Sequence, residues 1–255
     1  MPKKKLSVKE FKKQNAIYEI LETFRKEKRI FQNEAQFQHE LAIEIANNYL
    51  DEDTKVILEL SSVINVITDK NGKSSRKKDE SDIIIKNSKG EYIVIELKYK
   101  TVESSYDRNI YGNIDLSYQG AADLGKYDYL KDIYRIEQFK ESQSESFTIN
   151  SVLKKYIAGY AIMLTNEDKY WLMSKELSSN NTDMNYCITD NDVIKNGIEL
   201  KWQIIKKRDG KEVGNGKPFQ QRPPLQFRNK YKFKWVDYCD IENKPKFRYL
   251  ITNIK

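Results

Sequence analysis

Histidine is nearly absent: His39 is the only one in 255 residues. A histidine-based triad would have to run through that one side chain, and a histidine-rich metal site is excluded. Cysteine is almost as scarce. Cys187 and Cys239 lie far apart and form no Cys-x-x-Cys pair, so neither a disulfide framework nor a zinc site is expected. No apolar run approaches membrane-spanning length, and the basic start is interrupted by charge before any signal-peptide core can form. A reducing, cytoplasmic setting without a membrane partner is the expectation.

What remains is a polar but globular composition, with 39% apolar and 33% charged residues and bulky Tyr and Phe for a core. Net charge is +7 and the pI is near 9.0, which favours a polyanionic partner. With histidine and cysteine set aside, hydrolytic chemistry would rest on carboxylates, lysines and a hard metal ion.

Periodicity predicts helices over 8–29, 33–50 and about 118–141. β-Branched runs predict strands over 55–67, 81–86, 91–99 and 156–165, with 169–174 continuing the last as a hairpin. Further strands are expected over 197–206 and 246–254, and 100–117 reads as irregular. A basic linker covers 69–78. The stretch 206–234 carries ten cations against two acids, interleaved with Phe219, Phe227, Tyr231 and Phe233. Those aromatics either stack on bases or turn inward. The whole reads as one domain over 1–255, with an N-terminal helix, a core over about 33–175 and a basic C-terminal appendage over about 176–255.

The turn Asn87-Ser88-Lys89-Gly90 carries the chemical argument. A three-residue loop with Gly90 in the left-handed position pairs Asn87 with Glu91. The ladder then sets Asp82 opposite Glu96, both on one face. Lys98, two residues on, shares that face, while Ile83, Ile85, Ile95 and Leu97 face a core. Two opposed carboxylates repel unless a cation lies between them, and magnesium suits such a pair, with manganese as the substitute. Glu40, from the preceding helix, would add a ligand; Glu59 is either an extra ligand or a paired acid. The bland alternative is a solvated strand edge with Lys98 as an ion-pair partner.

Asp82 followed by Glu96-Leu97-Lys98 resembles the motif of the PD-(D/E)xK nuclease superfamily. Ser81 stands where that family carries proline. The resemblance covers roughly residues 33–165. It implies an α/β, restriction-endonuclease-like core, a mixed central sheet flanked by helices. It also implies catalytic roles for Asp82, Glu96, Lys98 and Glu40, with Asp82, Glu96, Leu97 and Glu40 as the metal set. The implied activity is metal-dependent hydrolysis of DNA in restriction, defence or repair, with a homodimer suited to cutting both strands. Gln119, Lys131 and Arg135 would contact nucleic acid; an intrahelical ladder of Lys131 and Arg135 with Asp128, Asp132 and Glu137 is the equal alternative. RNA cleavage and a non-catalytic nucleic-acid-binding or regulatory protein are the alternatives. Glu199-Leu200-Lys201 is the rival to the Glu96 triplet.

Overall fold

The turn at Asn87 forms as the sequence dictates. Gly90 takes φ 78°, its N–H donates to the Asn87 carbonyl at 3.0 Å, and the Asn87 side chain accepts from the Glu91 N–H at 3.0 Å. This fixes the hairpin between β2 (Ser74–Asn87) and β3 (Glu91–Lys100) in the register Ile85↔Ile93 and Ile83↔Ile95. The computed structural model of the chain describes residues 5–68, 74–141, 153–172, 183–206, 210, 212–214 and 216–255.

Around that hairpin lies a six-stranded mixed sheet. β1 (Thr54–Thr68) pairs antiparallel with β2, and β2 with β3. After the hairpin of β4 (Ser104–Asn109) and β5 (Gly112–Leu116), β6 (Lys155–Thr165) runs parallel to β3. β7 (Trp235–Cys239) and β8 (Phe247–Ile254) complete the sheet, in the order β1-β2-β3-β6-β8-β7. The sheet is therefore not closed within residues 33–175: the C-terminal region expected to be an appendage supplies two of its strands.

Helices cover both faces. α1 (Val8–Lys13), α2 (Ala16–Lys26) and α3 (Glu34–Glu44) pack on Ile83, Ile85, Ile93, Ile95 and Leu97. α4 (Ala122–Glu141) packs Leu130, Ile133 and Ile136 on Ile84, Val94, Ala161 and Met163. Each aliphatic side chain so buried contributes about 1.5–3 kcal/mol, so the alternation along the hairpin fixes its faces as well as its stability. α4 is held close to the sheet at one point. A Cβ at Gly159 would overlap the Ile136 methyl and the Tyr156 hydroxyl.

Several local expectations need correction. The helix expected over 8–29 breaks at Asn15, which adopts φ 54°, a left-handed value asparagine tolerates. Residues 104–116, expected to be irregular, form the β4–β5 hairpin. The hairpin expected at 169–174 is instead a 3-10 turn over Asp168–Tyr170, and 173–174 lie outside the described residues. The strand expected over 197–206 is reduced to pairs at Glu199–Leu200 and Ile205–Lys206. Of the basic linker, 69–73 lie outside the described residues, and β2 already begins at Ser74.

Candidate active site

The ladder between β2 and β3 ends at Ile83↔Ile95. One step further, Asp82 comes opposite Glu96 as the register requires, and side chains replace the backbone pairing. The Asp82 carboxylate accepts the Leu97 N–H at 2.6 Å. Its carbonyl accepts from the Gln38 amide of α3 at 2.8 Å. Glu34, at the start of α3, accepts the Tyr99 N–H at 2.7 Å. The site thus forms where the strands part, with α3 holding the freed backbone groups.

From the other face α4 brings Asp132 and Arg135, one turn apart. The Lys98 ammonium lies 2.8 Å from Asp132. Arg135 lies 3.3 Å from Asp132 and 3.5 Å from Glu96, and its guanidinium also donates to the Glu80 carbonyl. Glu96 is 1% exposed, yet among the described residues neither of its carboxylate oxygens has a hydrogen-bond partner. A buried carboxylate without donors is costly unless a cation meets it.

The electrostatics follow from that burial. Desolvation pushes Asp82 up to about 6, against the pull of Lys98 and the Leu97 N–H. Glu96 is raised well above the ordinary carboxylate range, again chiefly by burial, with Arg135 opposing. Burial works to lower the Lys98 ammonium. Asp132, Glu34 and Asp82 outweigh it and hold the group above its ordinary value, so Lys98 is a cation at neutral pH.

Glu40 does not join this cluster. It pairs with Arg29 at 3.2 Å. The reason is helical phase: Glu40 is six residues beyond Glu34, which turns it well away from the face that Glu34 presents to the site. α3 therefore offers Glu34, whose charge bears on both Asp82 and Lys98. Sequence reasoning missed Glu34. Its signal was a position just inside the helix cap at Asn33, whose side chain accepts from the Gln36 N–H. Asp132 was read only as a partner within its own helix. It is that, through Arg135, and it also reaches Lys98.

The remaining expected residues are placed as follows. Gln119 is exposed, and its backbone N–H donates to the Thr101 carbonyl just past β3. Lys131 is half-buried and makes no ion pair among the described residues. Glu59 stands opposite Asp82 on β1, between the pairs Leu58↔Ile83 and Leu60↔Ser81. It adopts φ 51° and is exposed. In the rival triplet, Glu199 and Lys201 form an exposed surface pair at 2.7 Å.

Residues present at the site fit a divalent cation in donor type: the Asp82 and Glu96 carboxylates and the Leu97 carbonyl are hard oxygen donors, and among the described residues Glu96 has the Arg135 ion pair at 3.5 Å but no hydrogen bond. The Leu97 carbonyl at present accepts from the Lys98 ammonium at 2.9 Å. Among the described residues no three His, Cys, Asp or Glu side chains converge as a metal cage. No protein-family model, no curated protein and no solved structure matches the chain.

Proposed function

We propose that this chain is a metal-dependent endonuclease that hydrolyses DNA phosphodiesters on a restriction-endonuclease-like core of the PD-(D/E)xK type. The observation that carries the reading is Glu96: an almost fully buried carboxylate with no hydrogen-bond donor among the described residues, beside a second acid and a lysine cation. Asp82, Glu96 and the Leu97 carbonyl would hold magnesium or manganese. Such an ion acts as a Lewis acid on phosphate and lowers the pKa of water.

The chain's own groups divide the remaining work. Asp82 is an anionic oxygen donor once the pH exceeds about 6. Lys98, held protonated by Asp132, contributes positive charge to the phosphate undergoing attack rather than accepting a proton. Asp132 and Glu34 act through Lys98, fixing its position and charge. Arg135 supplies a second cation facing the same acids, suited to a phosphate oxygen.

One observation favours a second reading, a nucleic-acid-binding protein without catalysis. Lys98 and Arg135 already offset the acids, so the cluster is partly self-compensated. Metal dependence separates the two. A nuclease nicks circular DNA with magnesium and stops on chelation, whereas a binding protein leaves circles intact under both conditions.

A further inference from the structure

Residues 225–235 alternate in burial with a period of two, across a bend at Arg228 and Asn229. Leu225, Phe227, Tyr231, Phe233 and Trp235 are buried, while Lys230, Lys232 and Lys234 stand exposed in a row. The aromatics therefore build core rather than stack on bases. The segment is pinned to α4 by Glu137, which is 1% exposed. Glu137 accepts the backbone N–H groups of Arg228 and Asn229 at 3.1 Å each, the Asn229 amide at 2.8 Å and the Tyr231 hydroxyl at 2.7 Å. Four hydrogen bonds to one buried carboxylate hold the lysine row in place.

Beside the row lies a groove of about 650 Å³, lined by these lysines with Lys255, Tyr18 and Asn253 and, among the described residues, by no acidic side chain. Its origin is topological. β7 stops pairing at Trp235↔Leu250, while β8 continues to Ile254 against β6. The last residues of β8 thus face a vacated strand position. None of the four lysines has an ion-pair partner among the described residues. The sheet registers Glu96↔Ala161 and Ala161↔Thr252 set this groove level with Glu96, one intervening strand away. Two strand spacings amount to about 10 Å.

We propose that this groove is a second contact for the sugar-phosphate backbone of nucleic acid, gripping it without reading base sequence; the choice of polymer rests on the nuclease reading. Three ammonium groups alternate along an extended chain at about 6.7 Å per step, comparable to the separation of successive phosphates on an extended strand. Lysine is a point charge that tracks phosphates without bidentate geometry. An acidic peptide added at the open edge of β8 would meet the same charge, but would also need carboxylates at matching intervals.

The test is binding of a labelled mixed-sequence duplex in EDTA at several salt concentrations. It compares wild type, the triple variant Lys230→Ala/Lys232→Ala/Lys234→Ala and Glu96→Gln. These lysines are exposed, so circular dichroism should show an unchanged fold. The triple variant is expected to bind more weakly and to lose about 2 to 3 from the slope of log K against log salt, near 0.9 per phosphate contact. Glu96→Gln should keep the wild-type slope. An unchanged slope and affinity in the triple variant overturns the proposal. So does a loss of polyglutamate binding with DNA binding intact. Failure of wild type to cleave DNA when magnesium or manganese is supplied in place of EDTA, with the slope difference preserved, overturns the nuclease reading and leaves this groove standing.

Discussion

The Lys98 ammonium on β3 lies 2.8 Å from the Asp132 carboxylate on α4, which ties the strand bearing the motif to the helix that roofs it. The pairing holds the lysine charged and links its position to the seating of α4. Asp132 also carries Arg135 toward Glu96. Two cations and four acids, Glu34 included, thus share one rim of the sheet.

Asp82 should be destabilising in its charged form. Its pKa rises from 3.8 to about 6 on folding, so between those values the folded chain holds more protons than the unfolded one. Stability then falls as pH rises through that window and stays lower above it. Asp82→Asn should therefore raise the unfolding free energy at neutral pH by on the order of 1 to 3 kcal/mol, with little change near pH 3. Cleavage should show the opposite trend in wild type, falling as the pH drops through about 6. Urea unfolding at both pH values, beside a pH–rate profile, checks this. Equal stability of the two proteins at neutral pH would contradict it.

Arg135 should matter in a way that depends on Glu96. Arg135→Met leaves Glu96 and Asp132 less compensated and should cost about 3 to 5 kcal/mol, the usual effect of breaking a buried pair. The double variant Arg135→Met/Glu96→Gln should recover a substantial part. Thermal unfolding of the four proteins in the cycle measures the coupling, and additive losses would contradict the electrostatic account.

The two acids of α3 make a discriminating pair. Glu34→Gln removes a charge that bears on Lys98 and Asp82 and weakens the acceptor for the Tyr99 N–H. It should lower cleavage at least about tenfold, a 1.4 kcal/mol effect, and alter the pH profile. Glu40→Gln disturbs the pair with Arg29 and the neighbouring Tyr111, away from the cluster, and should leave kcat within about twofold. A reversed ranking would restore Glu40 as the site residue.

How much of this was legible in the sequence follows from the range of the signals. The hairpin register was readable because a turn and an alternation are local: Asn87, Gly90 and the isoleucines fix which residues face each other. Asp82, Glu96 and Lys98 came with it. Glu34 and Asp132 were not readable in that role. Helical phase relative to a distant strand end depends on how α3 and α4 dock, and nothing within eleven residues of Glu34 states that. The strands β7 and β8 illustrate the same limit. Phe247–Ile254 alternates clearly, but only the tertiary structure seats it beside β6 and makes the supposed appendage part of the sheet. The aromatic residues of 225–235 suit bases and core equally in sequence; the hydrogen bonds from this segment to Glu137, which pin it against α4, decide for core.

The measurement closest to the central claim is a time course on supercoiled circular DNA with magnesium, manganese or EDTA, using wild type, Glu96→Gln and Lys98→Ala confirmed as folded. The account predicts metal-dependent nicking by wild type, abolished by EDTA, and a loss of at least about a hundredfold in each variant. Intact circles with wild type under both metals, or equal cutting by the variants, would contradict it.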